Sequence, residues 1–365
     1  MKKTLLVLLL SPLLIVSVHA EGYTSPLGED LNVNAVRDTL PEDVREVGGE
    51  LQLDGEYDSA GALERLWDRF LAQIAENVRE SAREVFSVLA VAILCSIGTV
   101  LTHGQKQTEY IQIAGCAAVS CLLADGMNSL IGKATASLSE LSDYAGAVLP
   151  AVYTASVACG APSSASARYA ASCFALDVMM KASQRLILPL VYAAIAMAVC
   201  ASIYDNPLLR SGLKLTKKLS ALLMAGMTLG FTGFLSVTGL VTGSADAAAV
   251  KATKTVISAA VPVVGKILSD AASSILAAAS LVRNTAGAFG LVAVCALCAS
   301  PFAAFGVRKV LFGLAAAAAE MTEGERMARL LGEFSAVMGI LLGLVGSYGV
   351  MLLISIVSAI RTVTG

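Results

Sequence analysis

Lys251, Lys254, Lys266 and Asp270 surround a Pro-Val-Val-Gly core in the stretch VKATKTVISAAVPVVGKILSD, Val250 to Asp270. Ammonium groups in so apolar a setting need water or anions, because a charge at the centre of a bilayer costs at least ~2.5 kcal/mol. Lys251, Thr255, Ser258, Pro262, Lys266, Ser269 and Ser273 follow one another at steps of three and four, which sets them on one helical face. Ile257, Val261, Val264, Leu268 and Ile275 line another face. Pro262 removes a backbone donor and frees the carbonyl of Ser258, and Gly265 permits bending, so the spacing predicts a kinked or broken helix. Such a segment either lies in the membrane interface or lines a polar path. Its candidate path or interface residues are Lys251, Lys254, Ser258, Pro262, Gly265, Lys266 and Asp270.

Other reactive chemistry is sparse. His19 and His103 are the two histidines, and the eight cysteines fall within or against apolar runs, where they read as packing residues. Cys295 and Cys298 form C-A-L-C with no second pair and no nearby histidine, too little for zinc or redox work. Asp125 and Asp177 lack a surrounding catalytic pattern; Asp177 has Lys181 one helical turn on as its natural partner. A Walker-type phosphate loop is missing from the sequence. No enzyme activity, cofactor or metal is expected, and the net charge of −2 argues against nucleic acid as a partner.

The elements that must position these residues are membrane helices. With 56% hydrophobic and 15% charged residues, the chain has too little polar surface to clothe a soluble globule of 365 residues. The fold class is all-α, a polytopic helical membrane protein. Residues 1–20 have two lysines, an apolar run and small residues before a cut after Ala20, the pattern of a cleaved signal peptide. Residues 21–84 hold sixteen acidic and six basic residues, without lysine, and read as an extracytoplasmic region. Within it, 21–59 has no sustained period and is expected to be extended or poorly ordered. Ala60–Glu84 is an amphipathic helix whose candidate docking residues are Leu63, Trp67, Phe70 and Ile74; it lies on the bilayer, folds back on its own membrane domain or docks another protein.

Residues 85–365 form a membrane domain of six to eight helices. Hydropathy places spans at Val85–Leu101, Ile111–Ile131, Tyr144–Gly160, Leu186–Ile203, Leu219–Val241, Ala286–Phe305 and Phe334–Ile360, with Ala165–Met180 and Val310–Ala319 ambiguous. The basic stretch Leu208–Leu219 should be cytoplasmic, which requires Ala165–Met180 to cross as well. Gly226 and Gly230, then Gly339 and Gly343, have the small-xxx-small spacing of close helix packing, within the chain or in a homo-oligomer.

The runs A-V-K-A-T-K, V-P-V-V-G-K and S-D-A, followed by S-L-V-R-N-T-A-G-A-F-G (Ser280–Gly290), closely resemble the signature of the stage III sporulation protein AE family of endospore-forming bacteria. The order of signal sequence, acidic ectodomain and multi-span domain is similar too. The resemblance implies a membrane subunit of the channel-like, secretion-like complex that links mother cell and forespore and is required for forespore development. It implies as partners the other stage III sporulation A-operon proteins, including an ATPase and ring-forming members, a forespore-side partner indirectly, and membrane lipid. It places the chain in the mother-cell membrane around the forespore. Two alternatives stay open: a scaffold anchoring the ATPase and rings without conducting, and an independent secondary transporter. A reporter active only in the cytoplasm, fused near Asp58, is expected to stay silent; activity there would reverse the orientation.

Overall fold

The computed structural model describes residues 39–48, 59–102, 105–204, 206–260, 264–321 and 325–361. Residues 1–20, where the sequence predicts a signal peptide, lie outside the described residues, and so do the side chains of most of 239–282. Helices make up nearly all of what is described: α1 (Glu42–Gly48), α2 (Ser59–Leu101), α3 (Gln105–Ala158), α4 (Pro162–Ala182), α5 (Leu188–Ile203), α6 (Pro207–Ala260), α7 (Val264–Glu320) and α8 (Glu325–Arg361). In hydrocarbon a helix satisfies its own backbone, which is why a chain this apolar has so few other choices. Six described runs are long and apolar enough to cross a membrane: Gly61–Leu101, Lys106–Ala158, Pro162–Ile203, Pro207–Thr238, Arg283–Glu320 and Glu325–Ile360.

The helices run longer than hydropathy suggests. The windows Ile111–Ile131 and Tyr144–Gly160 belong to one 54-residue helix, α3. Hydropathy dips at Lys133, Glu140 and Asp143, but no turn signal stands between them, so the backbone continues. Likewise α4 and α5 form one run through a π-turn at Ser183–Ile187, where the Leu188 N–H bonds Ser183 O just ahead of Pro189. Val310–Ala319 continues α7, and the basic stretch 208–219 is the start of α6 rather than a loop. True ends carry stop signals. Gly160 sits at φ 91°, the left-handed region glycine adopts without penalty. Its N–H bonds Val157 O and the Ala161 N–H reaches Ser156 O, the paired bonds of a Schellman cap, and Pro162 opens α4.

The expectation of little order before Ser59 is revised for residues 39–48. Leu40 and Val44 are buried in the core, α1 packs on α7, and Arg45 Nε donates to Leu40 O at 2.7 Å.

α7 and α8 form the centre. Their most apolar windows are 72% and 56% buried, against 17–33% for the other runs, so the outer helices are the ones that face lipid. The central pair is antiparallel and closely seated on glycines. A Cβ added at Gly287 would strike Ile360, at Gly349 it would lie 2.7 Å from Cys298 Sγ, and at Gly346 3.1 Å from Phe302 Cζ. Lys309 lies over Gly339 and Ser335 over Gly313 in the same register, and Ser335 Oγ donates to Lys309 O at 2.8 Å. Lipid supplies no hydrophobic drive between helices, so this stability comes from contact. Gly287→Val and Gly349→Val are each expected to cost about 1–3 kcal/mol through overpacking. Gly146→Ala, whose Cβ meets nothing, should be neutral or stabilising. Unfolding midpoints in detergent check this, and equal midpoints for all three would refute the seam.

Candidate functional site: charged groups within the membrane bundle

Ionisable side chains inside spans are costly, so their partners show what the bundle is built to hold. Arg308, on α7 in the run F-G-V-R-K-V, is 6% exposed. Its Nη2 lies 3.4 Å from Glu80 Oε2 and its Nε 3.5 Å from Glu84 Oε2, both carboxylates being one turn apart on α2. The pairing ties α2 to the central helix where the amphipathic part of α2 passes into the span, and Glu84 in turn lies beside Gly126 of α3. Two further pairs fasten the end where α5 meets α6 and α7 meets α8. Arg326 Nη2 donates to Glu109 Oε1 at 2.6 Å while its Nη1 donates to Ile203 O at 2.8 Å, binding the starts of α3 and α8 to the end of α5. Lys217 of α6 pairs with Glu333 of α8.

The opposite end is tied by hydroxyls and by the Arg168 guanidinium. The Tyr153 hydroxyl donates to Ser355 O at 3.1 Å and lies 3.2 Å from Ser172 Oγ. Ser156 Oγ donates to Ala359 O at 3.0 Å, and Arg168 Nη1 donates to Ser358 O at 2.9 Å. Arg283 is fully buried; among the described residues its Nη2 reaches Ser280 Oγ and Asn284 Oδ1, each at 3.4 Å.

The residues singled out from sequence fall in three places. Lys251, Lys254 and Ser258 belong to α6 and Gly265, Lys266 and Asp270 to α7, but their side chains, like all of Pro262, lie outside the described residues. The described helices stop at Ala260 and resume at Val264. On α2, Trp67 is 42% exposed while Leu63, Phe70 and Ile74 are half-buried, and the Trp67 and Phe70 rings lie 6.2 Å apart, tilted by 42°. Gly339 and Gly343 are packed, against Lys309 and Met224, whereas a Cβ at Gly226 or Gly230 would meet open space. Asp177 pairs with Lys181 at 2.6 Å on an exposed surface.

Sequence reasoning missed the Arg308 cluster, although Glu80 and Glu84 at i, i+4 just before a span, with an arginine inside a later span, were its visible signal. Among the described residues, no group of three His, Cys, Asp or Glu is placed to hold a metal ion.

Residues 52–362 match the model of the stage III sporulation protein AE family, covering α2 through α8. The chain belongs to that family. It is similar to stage III sporulation protein AE of Bacillus subtilis (strain 168), at 20% identity over 229 residues, 62% of this chain and 57% of the relative. The match thus spans less than two-thirds of the relative's length. No solved structure matches.

Stripping both carboxylates from the buried guanidinium, by Glu80→Gln with Glu84→Gln, is expected to cost about 3 kcal/mol, while Arg308→Met should cost clearly less, because it leaves carboxylates that reach solvent. Chemical unfolding of the purified variants separates the two, and equal losses would show that leaving the guanidinium buried without its carboxylates carries no penalty of its own.

Proposed function

We propose that the chain is a membrane subunit of the channel-like sporulation complex that connects mother cell and forespore, and that it is a non-enzymatic part of it. Its partners in this reading are the other stage III sporulation A-operon proteins, the ATPase and ring-forming members among them. The observation that carries the proposal is family membership extending over the whole bundle, α2 to α8. The mother-cell membrane around the forespore is the location this implies, with residues 21–84 extracytoplasmic.

Charge supports that orientation. From an outside start of α2, the runs Gly61–Leu101, Lys106–Ala158 and Pro162–Ile203 make three crossings, which brings Arg210, Lys214, Lys217 and Lys218 to the cytoplasmic side. Merging the hydropathy windows pairwise keeps the crossings odd, so Ala165–Met180 need not cross by itself.

Where conduction would run is constrained by the filled centre. Phe289, Phe305, Phe312, Phe334 and Tyr348 are all buried between the helices, so a path through the middle of α7 and α8 is unfavourable. This supports a path between copies or beside partners, with the Lys251–Asp270 stripe along it, and equally supports the second reading, a scaffold that conducts nothing. Lys254→Leu and Pro262→Ala are expected to stop spore development while the protein stays inserted and abundant. Normal spores from both variants at normal protein levels would overturn the path role of this stripe. Water-accessible labelling of Ser258→Cys and Lys266→Cys in sporulating cells would favour conduction over scaffolding.

A further inference from the structure

The start of α6 is basic without relief. From Asn206 to Ala245 the chain has Arg210, Lys214, Lys217 and Lys218 and no acidic residue. The three lysines meet different fates. Lys217 turns inward to Glu333, but Lys214 and Lys218 are exposed one turn apart, with no carboxylate partner among the described residues. Like charges at i, i+4 repel, so this arrangement is unfavourable unless an anion bridges them.

The same face carries apolar side chains. Leu215, Leu222 and Leu229 are 66%, 65% and 73% exposed and share the side of the helix that bears Lys218. Beyond Lys218 the helix is uncharged from Leu219 to Ala245, 27 residues or about 40 Å, more than enough to cross the ~30 Å of a hydrocarbon core. The charge boundary at Lys218 marks the earliest point at which this span can begin. If Leu219–Thr238 fills the hydrocarbon, Lys214 and Lys218 stand at the level of the phosphate groups, with Leu222 and Leu229 against acyl chains.

We infer that Lys214 and Lys218 form a binding site for one anionic phospholipid, the ammonium groups bridging its phosphate and the leucines of α6 contacting its chains. The inference goes beyond the proposed role in sporulation and holds for either orientation of the chain. Phosphate and hydrocarbon both being needed, the occupant is a lipid rather than a free anion.

The test uses the purified full chain in nanodiscs of phosphatidylcholine alone or mixed with phosphatidylglycerol, with native mass spectrometry reading retained lipid and oligomeric mass. Wild type should retain phosphatidylglycerol selectively, and less so as salt rises. Lys214→Gln with Lys218→Gln should weaken apparent affinity for it about twenty-fivefold, each lysine near an anionic surface being worth about fivefold. Lys214→Arg with Lys218→Arg should keep it, since arginine retains both positive charges while the substitutions in both variants fall at exposed positions of α6. Equal retention by the glutamine variant and wild type would overturn the site. So would a change in oligomeric mass caused by the glutamine substitutions in phosphatidylcholine alone, which would make this face a protein contact.

Discussion

Everything in the bundle is arranged around how closely α7 and α8 approach. Two apolar helices in lipid gain nothing from leaving water, so their association depends on atoms in contact. Gly287 under Ile360 and Gly349 under Cys298 remove the Cβ atoms that would hold the axes apart, and the pairs Gly313 with Ser335 and Gly339 with Lys309 continue the register. Because α7 and α8 are the buried helices, the outer ones take their positions from this seam. α2 and α3 pack on α7, and α3, α5 and α6 pack on α8.

The polar groups divide the remaining work by position along the bundle. Mid-helix Ser and Thr hydroxyls mostly return to their own chain four residues back, as Ser120 does to Cys116 O and Thr216 to Gly212 O, and add nothing between helices. Most ties between helices lie toward the ends, ion pairs at one (Arg326, Glu109, Lys217, Glu333) and hydroxyl or guanidinium hydrogen bonds at the other (Tyr153, Ser156, Arg168, Ser172, Ser358). Interhelical hydrogen bonds in membranes average only about 0.6 kcal/mol, so these ties set register more than they add stability. Arg308 and the Tyr192 hydroxyl, which donates to Asn128 Oδ1 at 3.2 Å, are tied away from those ends, and both carboxylate partners of Arg308 come from α2.

Much of this was legible in the sequence and some was not, for physical reasons. Composition made the chain a helical membrane protein, since no other class tolerates so few charges. The helix-packing role of Gly339 and Gly343 followed from spacing, but the same spacing at Gly226 and Gly230 sits on an open face; small-residue periodicity shows that backbones can approach, not that a partner is present. Span boundaries failed where charge and backbone disagree. Lys133, Glu140 and Asp143 lower hydropathy without ending a helix, whereas the boundary read at Gly160 is a true helix end, set by Gly160 and Pro162. Arg308 was hidden because its partners lie more than two hundred residues away, a distance that no local pattern spans. The Lys251–Asp270 stripe remains a sequence inference, its side chains being outside the described residues.

The continuity of α2 bears on what its first half can touch. Ser59–Leu101 is one helix with no proline and no break, so its amphipathic part cannot turn through a right angle at Glu84 to lie flat on a bilayer. Part of it folds onto its own bundle, as the burial of Ala62, Asn77 and Ser81 shows. Its outward apolar stripe runs through Trp67, Leu71, Val78, Phe86, Ile93 and Ile97 to Leu101. From Trp67 to Leu101 that is about 51 Å of helix, against about 30 Å of hydrocarbon. With Leu101 at one membrane edge, about 20 Å of the stripe projects past the other. Glu64, Arg65 and Asp68 flank that projecting part and suit water. Trp67 and Leu71 therefore stand where acyl chains do not reach, and exposed apolar side chains in that position favour a protein partner over the bilayer surface.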